Sequence, residues 1–457
     1  MKENNKFIFS AEDLGGYNAI AAVAAKLNCE VFKNHLSDDE IENAIKNAFI
    51  VVVGTSASYE SLDKRFVRAA KKIGIKSVAV LDSWVNYEVR FKDAVPDYIF
   101  VMDDIAKIDL MEAGFDPEKI SVTGNPYFDK FKKIEDEGNS IVFFCQPFTE
   151  LENNIGLNEI EILNDFVDAF KNLGIEKKIK VKMHPRTKNL NKFENLDIEI
   201  TTSDTTDLIR EAKLVIGMNS MALFEATMSG RKVLSYQPGL NVKDPLVTNR
   251  LGLTKAVYKK TDLEKSIIDL MDEKHVINDY KLVKNARDNV IDSLNALVKN
   301  SIQLRPATIE DADVLLKWRN DPEVRKFCHT TEIIEIENHI SWLNKVLNDK
   351  DRKLFIVMCM GRPVGSIRAD FSKDAYLLTW AIAREARGHG IGKQMLFLLS
   401  LIITEPLRAE IKIENYASKY IADYSGFKLQ REENGILYYE KPAIDKVDDF
   451  HHNPKRN

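Results

Sequence analysis

Arg387-Gly388-His389-Gly390-Ile391-Gly392 is the densest chemical signal in the chain. Glycines at alternate positions let a backbone approach a pyrophosphate closely, and the free amides that open the next helix bind its oxygens. A second phosphate-type signal pairs Val181-Lys182-Met183-His184-Pro185-Arg186 with Gly217-Met218-Asn219-Ser220-Met221-Ala222-Leu223-Phe224-Glu225. There His184 and Arg186 stand just past a strand. Asn219, Ser220 and Met221 sit at a strand-to-helix turn whose amides suit a diphosphate, and Glu225 suits a ribose hydroxyl. A third cluster is acidic: Glu12 and Asp13 beside Gly15 and Gly16, and Asp82 followed by Asn86 and Arg90. An acid, an amide and a guanidinium near aromatics suit a sugar ring with a charged appendage.

These residues need loops held at strand ends. From residue 6 to about 285, short apolar runs such as Phe7-Ile8-Phe9, Phe49 to Val53, Ser77 to Leu81 and Tyr98 to Val101 alternate with amphipathic stretches. That rhythm predicts βαβ units with buried parallel strands. It restarts after the charged stretch Phe131 to Gly138, with strands expected at Ser140 to Cys145, Ile179 to Met183, Leu214 to Ile216 and Lys232 to Ser235. Two Rossmann-like lobes, 1–132 and 139–285, then face each other across a cleft. Residues 286–300 join them to a third unit, 301–442, and the tail 443–457 has the composition of a disordered segment. The fold class expected is α/β, two Rossmann-like lobes followed by an α+β domain with a mixed, mostly antiparallel sheet.

Composition narrows the partners. Lys plus Arg is 65 against 70 for Asp plus Glu, a net charge of −5, which gives no reason to expect nucleic acid. No run approaches the ~18 apolar residues of a membrane helix, so no membrane insertion is expected. The four cysteines are scattered without metal spacing, so no metal is expected, and the chain reads as cytoplasmic.

The 301–442 unit resembles the GNAT acetyltransferases, in which R-x-x-G-x-G holds the coenzyme A pyrophosphate. Leu304-Arg305-Pro306-Ala307 with Asp311 and Asp313, the hairpin around Met360 to Gly365, Glu414 to Ser418 and Ser425-Gly426-Phe427 follow in the family's order. The resemblance implies acetyl-CoA as cofactor, bound by Arg387, Gly388, His389, Gly390, Ile391 and Gly392. Lys317 to Asp321, His339 and Trp342 resemble the PseH-like branch, which acetylates the 4-amino group of nucleotide-linked amino sugars; ribosomal-protein acetyltransferases start similarly. Trp318, Arg319 and Asn320 then line the substrate. Acyl transfer needs a deprotonated amine and a proton for the departing thiolate. The usual tyrosine position holds Ala422, leaving Asn415 and Tyr424 as candidates, with His329, His339 and Asp321 as relays.

Together with Ile120 to Pro126, the His184 and Asn219 motifs make residues 6–285 resemble the GT-B superfamily of nucleotide-sugar glycosyltransferases, UDP-N-acetylglucosamine 2-epimerases and PseG-like hydrolases. The partner expected is a nucleotide-linked amino sugar, UDP-linked by preference. Glu12, Asp13, Asp82 and His184 are the catalytic candidates, and Gly15, Gly16, Asn86, Arg90, Arg186, Asn219, Ser220, Met221 and Glu225 the binding set. The PseG-like histidine after the first strand is missing from Ser10 to Tyr17. The whole reads as a bifunctional enzyme of surface-glycan biosynthesis, of pseudaminic or nonulosonic-acid type. Its front half hydrolyses or epimerises a UDP-sugar, or acts as a glycosyltransferase or a non-catalytic binding module.

Overall fold

A computed structural model describes residues 7–150, 155–271 and 282–443. The tail expected to be disordered lies almost wholly outside these residues. Phe7–Ser10 and Ile50–Val53 are buried at every residue, as parallel strands covered by helices on each side must be.

Among the described residues, the first lobe is a parallel sheet of β1 (Phe7–Ser10), β2 (Val31–Phe32), β3 (Ile50–Val53), β4 (Lys76–Val80), β5 (Tyr98–Val101) and β6 (Ile120–Val122). Their order is β2-β1-β3-β4-β5-β6. The second lobe holds β7 (Ser140–Phe144), β8 (Ile179–Lys182), β9 (Ile198–Thr201), β10 (Ala212–Gly217), β11 (Lys232–Tyr236) and β12 (Lys255–Val257), also parallel. Here the order is β12-β11-β10-β7-β8-β9. Each order reverses at one point, between β1 and β3 and between β7 and β10. Crevices that take ligands open at such points beyond the carboxyl ends of the strands.

The third unit is a mixed sheet of β13 (Gln303–Pro306), β14 (Arg352–Cys359), β15 (Arg362–Ser372), β16 (Ala375–Ile382), β17 (Leu407–Lys412), β18 (Lys428–Glu433) and β19 (Ile436–Lys441). Its order is β13-β14-β15-β16-β17-β19-β18. Its one parallel pair, β16 with β17, covers only Tyr376–Leu378 against Leu407–Ala409; past that point the two strands are no longer paired.

Apolar contacts join the three parts. Trp84 from the first lobe, Phe128 from the crossover and Phe224 from the second lobe pack with centroids 4.8–6.0 Å apart. Asp109 of the first lobe receives both Arg250 nitrogens at 2.7 Å and Lys243 at 3.0 Å from the second. Residues 286–300, expected as a connector, form the helix Ala286–Asn300. Its buried Ala286, Val290, Leu294 and Val298 recur every fourth residue. Val290, Leu294 and Val298 of that stripe belong to one continuous core containing Phe9 and Val52 of the first lobe and Ile356 and Ile367 of the third unit.

Candidate active sites

In the first lobe the crevice between β1 and β3 is built by close backbone approach. Gly16 packs on Gly54, where an added Cβ would stand 2.7 Å from the Gly16 Cα, and a Cβ on Gly15 would stand 2.1 Å from Asp82 Oδ2. Asp82 accepts from Thr55 Oγ1 at 2.6 Å and from Arg90 at 2.8 Å, with both charged side chains nearly buried. Burial pushes the Asp82 carboxyl upward against the pull of Arg90 and Thr55. Arg90 also donates to the carbonyls of Val85 and Thr55, and Asn86 holds a left-handed turn at φ 63°. Asp82, Arg90, Gly15 and Gly16 are therefore brought together.

Glu12 and Asp13 sit beside them but already have partners. Asp13 caps the helix Leu14–Lys26 by accepting from Gly16 N at 2.7 Å, and Glu12 accepts from Leu62 N at 2.6 Å. Asp63, which sequence reasoning passed over, accepts from Glu12 N at 3.1 Å and is 3% exposed. Burial, then the charge of Asp13, pushes its carboxyl up to about 8. A cleft of about 440 Å³ opens beside Glu12, bordered by Lys33, His35 and Arg65.

In the second lobe the crevice lies between β7 and β10. Asn219 N donates to Gln146 Oε1 and Asn219 Nδ2 to Gln237 Oε1, each at 3.3 Å. Gln237 donates in turn to Asp244, which also receives Tyr258 and Asn249. Ser220 opens the helix Met221–Met228, its buried hydroxyl without a hydrogen-bond partner among the described residues, and Met221 stands exposed. His184 Nδ1 accepts from Arg186 N at 3.1 Å, and burial plus the Arg186 charge lowers its pKa, so the ring is neutral near pH 7. Arg186 itself is exposed. Lys192 bridges Glu150 and Glu159 at 2.9 and 2.5 Å, tying the loop after β7 to the one carrying His184. Glu225 is 9% exposed, and burial raises its pKa against the influence of Lys130.

In the third unit, Gly388 and Gly390 have φ of 79° and 73°, and nothing lies within 4 Å of where a Cβ would stand on either. The loop thus presents open backbone ahead of the helix Ile391–Ile402, a cradle that fits a pyrophosphate. Arg387 is held by Ile382 O at 3.0 Å and Asp321 at 3.5 Å. Ile391 and Gly392 are buried at the helix start, and His389 packs edge-on against Phe49 at 5.5 Å. Lys393, missed in the sequence, donates to Tyr420 at 2.9 Å and lies over the ring of Tyr424 at 4.0 Å.

Beside the diverging ends of β16 and β17, His329 Nε2 lies 3.3 Å from Glu410 of β17. Asn320 pairs through both amide atoms with the Ile334 backbone, and Arg319 donates to Thr330 O at 2.7 Å, so both fix the loop that carries His329. Trp318 is 5% exposed in the core, and His339 is buried against Trp342. Asn415 caps the helix Tyr416–Tyr424 by accepting from Ser418 N at 3.1 Å. Among the described residues no cluster of His, Cys, Asp or Glu could hold a metal ion, and no helix is long and apolar enough to cross a membrane.

Residues 301–428 match the acetyltransferase (GNAT) domain family, and residues 23–231 match the alpha-2,8-polysialyltransferase family. The acetyltransferase PseH of Campylobacter jejuni subsp. jejuni serotype O:23/36 (strain 81-176) is 33% identical over 70 residues, 15% of this chain and 42% of that protein. The chain therefore spans less than half the length of this curated relative. A domain from Methanocaldococcus jannaschii DSM 2661 is similar at 25% identity and TM-score 0.28, covering 31% of this chain and 97% of that one. An acetyltransferase from Thermus thermophilus is similar at 21% and 0.29, covering 31% and 97%. The aminoglycoside acetyltransferase AAC(6')-Ib in complex with coenzyme A is similar at 17% and 0.28, covering 31% and 95%. The third unit is a GNAT acetyltransferase domain. The front half carries the alpha-2,8-polysialyltransferase match, which does not bear out the expected epimerase or UDP-sugar hydrolase grouping.

Proposed function

We propose that this chain couples N-acetylation of an amino sugar, by its GNAT domain, to glycosyl transfer from a nucleotide-activated donor by its two parallel-sheet lobes. Acetyl-CoA is the cofactor of the GNAT domain and supplies an acetyl group activated as a thioester. The observation that carries the reading is the loop opened at Gly388 and Gly390 ahead of a helix start, within the GNAT match. Its amides and Arg387 hold the pyrophosphate. With acetyl-CoA bound, the His329–Glu410 pair would take the proton that the sugar amine sheds as the amide bond forms and the thioester C–S bond breaks, coenzyme A leaving as its thiolate and Glu410 stabilising the imidazolium. Asp321, Asn320 and Arg319 position that pair and Arg387. Similarity to PseH favours a nucleotide-linked amino sugar, of the pseudaminic or nonulosonic-acid type, as the acetyl acceptor.

In the front half, the β7–β10 crevice holds the nucleotide. Asn219 and the amides opening the helix at Ser220 and Met221 would meet the phosphates, with His184 and Arg186, just past β8, as further ligands. The Asp82–Arg90–Thr55 cluster of the first lobe is assigned to the sugar. The polysialyltransferase match favours transfer over hydrolysis or epimerisation. The test incubates the chain with a nucleotide-linked amino sugar, acetyl-CoA and a sialylated oligosaccharide acceptor, and resolves products by mass. Acetylated sugar, and sugar joined to the acceptor, are expected. Free sugar released at the same rate without acceptor overturns the transferase assignment, and an unacetylated sugar overturns the acetyl acceptor.

A further inference from the structure

The coenzyme loop does not stand on the GNAT domain alone. His389, at its centre, packs edge-on against Phe49 of the first lobe, with centroids 5.5 Å apart and planes at 77°. Phe49 is 4% exposed and belongs to the core shared by the first lobe and the GNAT domain. Three residues upstream, the same stretch takes a second grip. Arg362 of β15 donates to Lys46 O at 2.9 Å and Ala48 O at 3.1 Å, carbonyls just past the helix Asp38–Ile45, where a cation is favoured. The turn before Arg362 is pinned to the connecting helix, Met360 N donating to Ser301 Oγ at 2.9 Å.

We propose that residues Lys46–Phe49 are a seat for the coenzyme loop, with Phe49 the positioning residue that sets His389 and, through it, the open amides of Gly388 and Gly390. This rests on the acetyl-CoA reading and adds a first-lobe residue to that site. The seat lies at the amino end of β3, whereas Gly54 and Thr55, which build the Asp82 cluster, follow its carboxyl end. Four residues at ~3.3 Å each separate the two ends by about 13 Å. The coenzyme loop and the first-lobe crevice therefore sit at opposite ends of one strand.

The test uses the full chain with Phe49→Leu, which keeps an apolar side chain in the core, Arg362→Met, His389→Ala and the Phe49→Leu/His389→Ala double variant. Coenzyme A binding is measured by calorimetry, and KM for acetyl-CoA against kcat by thiol release. An edge-on aromatic contact of this kind corresponds to a loss of about three- to tenfold in affinity. Phe49→Leu and Arg362→Met are each expected to raise Kd and KM by about that factor with kcat within about twofold. The double variant is expected to bind no more weakly than the weaker single one, because both remove the same contact. Unchanged Kd in a folded Phe49→Leu chain, or losses that simply add, overturn the seat. An unsubstituted chain that binds no coenzyme A overturns the functional reading itself, and the seat with it.

Discussion

Asp63→Asn should make this protein more stable at neutral pH and less stable in acid. Asp63 is 3% exposed and its carboxyl is pushed up to about 8 by burial and the neighbouring Asp13, so the native state holds it neutral at pH 7. In the unfolded chain it ionises near 3.9. Stability from this group is full below about pH 4 and falls by about 1.4 kcal/mol per pH unit until the native group ionises near pH 8. By pH 7 that is a loss of roughly 4 kcal/mol, which a neutral amide does not suffer. The amide keeps Oδ1 as acceptor for Glu12 N, but at the Oδ2 position, buried with no hydrogen-bond partner among the described residues, it puts two N–H donors where the neutral acid has one O–H. That costs about 1 to 3 kcal/mol at every pH. The two effects cross near pH 5 to 6. Urea unfolding of both chains at pH 4, 5, 6, 7 and 8, followed by tryptophan fluorescence, measures the difference. The variant's midpoint should lie below the parent's at pH 4 and above it at pH 8. Parallel midpoints across that range would refute a neutral native Asp63.

Gly390→Val places a β-branched residue at φ 73° in the coenzyme loop, and should weaken acetyl-CoA binding by more than about tenfold by calorimetry. Asn415→Ala removes a helix cap, so it should cost about 1 kcal/mol in chemical denaturation while kcat for acetyl transfer stays close to the parent's. Arg250→Met removes two 2.7 Å bonds to the nearly buried Asp109 that joins the lobes. It should cost about 2 to 3 kcal/mol and raise protease cleavage between the lobes; unchanged cleavage would show that Trp84, Phe128 and Phe224 suffice.

Whatever depended on local pattern was legible in the sequence. Ile50–Val53 is β-branched throughout and could only be a strand buried on both faces. The spacing of Gly388, Gly390 and Gly392 marks a loop that leads into a helix. Roles that depend on distant partners were not legible. Asp13, Asn415 and Asn320 carry the same side-chain chemistry as catalytic groups, yet Asp13 and Asn415 cap the helices that follow them and Asn320 pairs with Ile334, fourteen residues on. The PseH-like resemblance puts Trp318 on the substrate, but its helix turns it into the core. Asp63 was overlooked because its partner, Glu12, is 51 residues away, although Ser61 just before a helix start was a visible cap signal. Glu410 lies on a strand of alternating burial, and its opposition to His329 comes only from the loop fixed by Asn320 and Arg319.

Mass analysis of a UDP-linked 4-amino-4,6-dideoxy sugar incubated with acetyl-CoA and the full chain, beside the same mixture with Arg387→Gln, tests the central claim most directly. The account predicts acetylation of the sugar amine by the parent and a large loss with Arg387→Gln. An untouched sugar alongside acetylation of a peptide amine would contradict it.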